Sequence, residues 1–246
     1  MTERDYPLTR RFLQGRSREA LSEREKGILE DLVEDVERFT APHVILERGD
    51  VVNRSTILIE GMIARIIAQD GKRHIVALHV PGDFVDLHAF ALKRLDHDVV
   101  SIGTVQVGYV THQSLNRVLE TEPNLSRILW YSTLLDAAMH REWILKLELL
   151  DADGRLAHLC AELWHRLDFV GMAGENGFAL PLTQKELSDA CGTTSIHMNR
   201  VVRKLRESGI VDISRGQVTI LDRAALERVG RFDASYLYGD GPLKLT

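Results

Sequence analysis

Cysteine is nearly absent from this 246-residue chain: Cys160 and Cys191 are the only two. Two thiols cannot build a Cys₄ iron–sulfur cluster, and both fall inside helical patterns, where a cysteine packs as a small apolar side chain. A reducing cytoplasm is the expected location. Long apolar runs are missing too. No segment approaches eighteen uninterrupted apolar residues, and MTERDYPLTRRFLQG lacks the apolar core of a signal peptide, so no membrane partner is expected. The chain also lacks G-x-S-x-G, a Walker loop, H-E-x-x-H and a paired-cysteine zinc motif, and it is not read as an enzyme. The paired acids Asp83/Asp86 and Asp96/Asp98 are explained by loop capping and solvated turns. A net charge of −5 excludes an indiscriminate polycation. Positive charge is local instead, with Arg200, Arg203, Lys204, Arg206 and Arg215 close together in sequence. With 44% hydrophobic and 27% charged residues there is material for packed cores, as one large domain or two modest ones.

What is present is concentrated in LTQKELSDACGTTSIHMNRVVRKLR, residues 182–206. Thr183 and Glu186 have the spacing of a capping box. Leu187 and Ala190 give a short first helix its apolar face, and Gly192 can adopt the positive φ of a tight turn. Thr193 or Thr194 can cap a second helix over about 194–207, with Ile196, Met198 or Val201, Val202 and Leu205 turned inward. Ser195, His197, Asn199, Arg200 and Arg203 are left for nucleic acid. A helix so placed sets N-terminal polar groups against base edges and basic groups against phosphate. The alternative is an ordinary helical hairpin with a solvated basic face.

The remainder divides by periodicity. Residues 17–39 read as a helix in which Ser22 and Glu25 form a cap and Ile28, Leu29, Leu32, Val33 and Val36 a stripe. From Phe39 to about Tyr109 short β-type runs alternate with glycines at 49, 61, 71 and 82, the turn rhythm of a sandwich or jelly roll, and Asp70-Gly71 signals a hairpin. Ser114 opens a short helix, and Pro123 starts a long one reaching about Leu150. Alternating three- and four-residue steps through Ile128, Ser132, Leu135, Met139, Glu142, Lys146 and Leu149 give it an imperfect heptad seam. Ile128, Leu135, Met139 and Trp143 are therefore candidates for dimer contact, with packing inside one chain as the alternative. Residues 151–154 read as a hinge, 155–170 as an amphipathic helix and 178–182 as a short strand. Two further runs, 210–214 and 217–221, joined by Arg215-Gly216, make a hairpin wing, and Asp222 caps a last helix. From Phe232 no pattern is visible. The fold class is α+β: an N-terminal β-roll domain over 1–122, a long dimerisation helix over 123–150, and a winged helix-turn-helix over 151–246.

This order of parts resembles the cyclic AMP receptor protein/fumarate–nitrate reduction regulator (Crp/Fnr) superfamily over about residues 17–230. ILIEGMIA, VPGDF, HREWILKLELLDADGRLAHLCAEL and the helix-turn-helix segment carry the resemblance. It implies a homodimeric transcription factor on a near-palindromic operator in double-stranded DNA, with RNA polymerase as a partner. Arg200 falls where the family has a recognition-helix arginine that contacts guanine. His197, Asn199, Ser195 and Thr194 are further candidates for DNA contact, with Thr183, Arg203, Lys204 and Arg215 around them. Ile196 replaces a glutamate that reads cytosine in the best-known members, and Ser195 replaces a preceding arginine, so their half-site does not transfer. Ile196 is read as facing the core, with a thymine methyl as the alternative.

The sensory half departs further from the family. Its cyclic-nucleotide binders use a glycine–glutamate pair and a later arginine followed by serine or threonine. Here PGDFVDLHAFALKRLDHDVVSIG places Asp96, His97 and Asp98 where positive charge is needed. Carboxylates repel a phosphate unless a cation bridges them. Cyclic-AMP binding of the usual kind is disfavoured, and the candidate effector pocket is Gly82, Asp83, Phe84, Asp96 and His97. Residues 1–40 hold no cysteine, which removes iron–sulfur sensing of the fumarate–nitrate type. Haem ligation by a histidine among 43, 74, 79, 88 and 97 is chemically open, yet no pair has diagnostic metal spacing. No metal or cofactor is assigned, and the effector is unidentified. The pocket can also be a structural remnant in a dimer already competent for DNA, or the roll an interaction adaptor without DNA activity.

Overall fold

The computed structural model describes residues 5–239. Its contacts divide the chain into two units, one comprising residues up to Arg65 with Leu78–Asp136, the other Ile66–Ala77 with Ala137–Leu237. The division falls inside the long helix and across a β-hairpin, described with the first unit, whose residues 66–77 are assigned to the second.

The first unit opens with α1 (Glu23–Asp31), capped as a reciprocal box by Ser22 and Glu25. The helix is shorter than periodicity predicts. Residues 35–39 form β1 (Asp35–Phe39), which pairs antiparallel with β5 (Asp98–Thr111) from Asp35↔Tyr109 to Phe39↔Val105. Strand β2 (Val44–Leu46) also pairs with β5. Strands β3 (Arg54–Gln69) and β4 (Lys72–His79) complete a sheet ordered β1-β5-β3-β4. Asp70 and Gly71 both take positive φ, 51° and 71°, as a two-residue hairpin with right-handed strand twist requires. Inward-facing Leu58, Ile63, Val85, Val99, Val105 and Val107 fill the roll. The single turn α2 (Ala89–Leu92) lies between β4 and β5. Thr111, three residues before the expected Ser114, caps α3 (His112–Thr121), its hydroxyl accepting from the Ser114 N–H.

Helix α4 (Pro123–Leu149) begins at the expected proline. Its outward face differs from the expected seam. Ile128, Leu135, Met139 and Trp143 are all buried within the single chain and leave no surface for a partner. The exposed large apolar side chains are Trp130 (66%), Leu134 (52%), Ile144, Leu145, Leu147 and, of the predicted seam, Leu149. The solvent-facing stripe is thus out of phase with the predicted one by about two residues.

In the second unit, α5 (Ala152–Phe169) starts three residues earlier than expected. The Asp151 carboxylate caps it through the Gly154 N–H, so Asp153 and Gly154 are helical and no four-residue hinge exists. A three-stranded sheet, ordered β6-β8-β7, joins β6 (Gly177–Ala179), β7 (Val211–Ser214) and β8 (Gln217–Ile220). Helices α6 (Gln184–Ala190), α7 (Ser195–Glu207) and α8 (Arg223–Gly230) complete the unit. Asp222 caps α8, as its position predicts. The patternless tail supplies Tyr236, whose hydroxyl donates to buried Glu162, and fully buried Leu237. Both cysteines are buried and free. Among the described residues no helix is long and apolar enough to cross a membrane.

Candidate nucleic-acid interface

Thr183 and Glu186 form the reciprocal capping box that fixes the start of α6. After Cys191, Gly192 takes φ +61° and redirects the chain. Thr194 then caps α7, its hydroxyl accepting from the His197 N–H. Met198, Val201, Val202 and Leu205 are buried, which fixes the rotation of α7 and leaves His197, Asn199, Arg200, Arg203 and Arg206 exposed. Arg200 and Arg203 are one step apart on the 3.6-residue period and share a face. At the end of the β7–β8 hairpin, Arg215 and Gly216 have φ of 51° and 75°, and the exposed Arg215 forms the wing tip.

Four predicted contacts are engaged within the protein, Thr183 among them through its capping box. Thr194 is committed to its cap. The half-buried Ser195 hydroxyl lies 3.2 Å from that of Ser188 on α6. Lys204 is in an ion pair with Asp153 of α5, which raises its pKa. Ile196 overturns the core reading: it is 70% exposed, in the first turn of α7, while Met198 takes the inward position. Apolar periodicity could not show this, since positions 196 and 198 fit an inward face equally well.

The residues of the predicted effector pocket have different partners. Gly82 has φ +100°, and a Cβ there would lie 2.3 Å from the Arg11 carbonyl oxygen. Asp83 accepts from the Val80 N–H. Phe84 is core, edge-on to Phe12 with ring centroids 5.5 Å apart. These three build the turn. Asp96 and His97 instead pair with each other, Nδ1 of His97 donating to Asp96 Oδ1 at 2.6 Å, and lie beside His88. Burial, reinforced by the charge of Arg65, lowers the pKa of both histidines, that of His88 to about 4. Arg65 is itself buried. It donates to the Val85 carbonyl and to Asp136 on α4 at 2.7 Å. An apolar cavity of about 460 Å³, lined by Leu87, Phe90, Leu115, Leu129 and Trp130 among others, lies within the same unit and was not foreseen.

A capped helix pair over a buried core, a basic exposed second helix and a wing define a winged helix-turn-helix, here preceded by a β-roll and a long helix. Residues 154–229 match the Crp-like helix-turn-helix domain, and residues 36–122 match the cyclic nucleotide-binding domain. The chain belongs to the Crp/Fnr family of DNA-binding transcription regulators. It is 24% identical to the nitrogen fixation regulation protein FixK of Bradyrhizobium diazoefficiens over 190 residues, 77% of this chain and 79% of that protein. It is 27% identical to the transcriptional activator protein FnrL of Cereibacter sphaeroides over 195 residues, covering 76% and 77% of the two chains. The structure of FixK2 from Bradyrhizobium japonicum shares the fold, with a TM-score of 0.73 at 22% identity, covering 81% of this chain and 98% of that one.

Proposed function

We propose that the protein regulates transcription as a homodimer that reads a near-palindromic operator through α7. The observation that carries this reading is the α7 surface. Arg200, Asn199 and His197 are exposed on a helix whose opposite face is locked into the core. A guanidinium free of internal partners can pair with O6 and N7 of guanine, worth about 1–3 kcal/mol of discrimination. Ile196, exposed beside them, suits a thymine methyl. Arg203 and the wing-tip Arg215 serve phosphate. Lys204 joins them only by giving up Asp153. Two such helices meet successive major grooves about 34–36 Å apart.

Dimerisation runs along α4 through the face bearing Trp130, Leu134 and Ile144. With Arg127, Ala137 and Arg141 these positions alternate three- and four-residue steps, the spacing of a two-stranded seam. Regulation does not use cyclic AMP in the usual way, because Asp96 and the uncharged His97 stand where a cyclic phosphate needs a cation. RNA polymerase is the protein partner at the promoter.

Arg200→Ala tests the reading. Specific affinity should fall at least tenfold with little change for random DNA, whereas Arg203→Ala should weaken both alike and reduce the salt slope by about one. Equal loss of specific and random binding in Arg200→Ala would overturn the base-reading role.

A further inference from the structure

Among the described residues, one group of histidine and carboxylate side chains converges within the first unit. His88 precedes α2, and Asp96 and His97 lie in the loop before β5. One ligand atom from each falls within 4.8 Å of the other two. An ionised carboxylate only accepts hydrogen bonds, so the short Asp96–His97 contact puts the His97 proton on Nδ1 and the lone pair on Nε2. That Nε2 is buried in a residue only 5% exposed and meets no hydrogen-bond partner. The His88 ring stands 5.4 Å away between centroids, tilted by 39°. A carboxylate holding the far nitrogen of an imidazole is the arrangement that orients histidine ligands in metal centres.

We propose that His88 and His97 bind one first-row divalent transition ion, with Asp96 orienting His97 and offsetting the ion's charge. Two imidazole nitrogens favour zinc, iron(II), cobalt or nickel over magnesium and calcium, which take oxygen ligands. Metal–nitrogen bonds of about 2.0–2.1 Å hold two donors no more than about 4 Å apart, so binding brings the two imidazole nitrogens to within that distance. Half-buried His88 and exposed Asp96 leave a way in for the ion and for the waters that complete its shell. The site lies in the unit that the family uses for sensing, but the inference is independent of how α7 reads DNA, because its test reads metal.

The full-length chain, carrying no affinity histidines and stripped of metal, is titrated with Co²⁺ and then Zn²⁺ by calorimetry and visible absorbance. One Co²⁺ per chain should bind in the micromolar range or tighter. It should show ligand-field bands without sulfur-to-metal charge transfer, since both cysteines are distant in sequence and buried, and Zn²⁺ should displace it. His88→Ala and His97→Ala should each abolish uptake. Asp96→Asn should weaken it about 10–100-fold. Asp96 is 81% exposed on its side chain, so that variant keeps the fold, and it decides with His88→Ala if His97→Ala melts early. Absence of a stoichiometric Co²⁺ spectrum, or unchanged affinity in His88→Ala and Asp96→Asn, overturns the proposal.

Discussion

Glu162→Gln should be among the most damaging single-atom changes available to the second unit. Glu162 is 0% exposed on α5. Its carboxylate accepts from Trp143 Nε1 at 3.0 and 3.2 Å, Arg166 Nη1 at 3.1 Å and the Tyr236 hydroxyl at 2.8 Å. Lys146, also buried, stacks its ammonium 3.5 Å above the Trp143 ring and has no hydrogen-bond partner. Burial opposes ionisation of Glu162 most strongly, yet Arg166, Lys146 and His158 together hold its pKa below the ordinary value. A glutamine fills the same volume but removes the negative charge that faces Arg166 and Lys146 and turns an amide N–H towards groups that donate. Removing one partner of a buried ion pair costs about 3–5 kcal/mol. Lys146, whose pKa burial lowers, can shed its proton and keep the cost near the lower end. At about 4 °C per kcal/mol for a unit of this size, the transition of this unit should fall by roughly 12–20 °C. Differential scanning calorimetry reads the shift, and the first unit's transition should stay in place if the two separate. Adding Lys146→Met to the Glu162→Gln background should recover part of the loss, since an apolar isostere needs no counter-charge. A loss below about 1 kcal/mol would refute the counter-charge reasoning, because it would equal an ordinary hydrogen bond.

Two other outcomes follow from buried and exposed groups in the first unit. Asp86 is fully buried, accepting from the Thr56 N–H and hydroxyl, and burial raises its pKa to about 6. A raised folded pKa gives stability that is complete below about pH 4 and lost as pH rises through about 6. The urea midpoint of the wild type should therefore fall relative to Asp86→Asn across that window, and a constant difference would show that Asp86 does not titrate there. Leu134→Asp, or Trp130→Asp, should convert a dimer to a monomer in sedimentation while leaving the melting of the second unit unchanged. A dimer that survives both would place the interface elsewhere.

Legibility in the sequence followed the range of the interaction. Capping boxes at Ser22/Glu25 and Thr183/Glu186, the Asp222 cap and the turns at Asp70-Gly71 and Arg215-Gly216 involve neighbours within three residues, and all stand where spacing places them. Strand β1 was read as helix because its partners, residues 105–109, lie some seventy positions away and outweigh local propensity. The seam of α4 was read out of phase because leucines occur on every face of that helix; only the packing of Leu135 and Trp143 decides which turn inward. Ile196 escaped for a related reason, since an exposed isoleucine at a helix start looks like core until Met198 is seen to fill that place. The His88, Asp96 and His97 group has no sequence spacing to recognise, because a turn and a loop bring it together.

The central claim, that α7 reads sequence in a two-fold complex, is tested most directly by selecting DNA from a random pool with the purified chain at stated salt and no added ligand. The account predicts enrichment of an inverted repeat with half-sites about one helical turn apart, lost in Arg200→Ala. Retention of the same enriched repeat by Arg200→Ala, or enrichment of a single unrepeated site by a monomer, would contradict it.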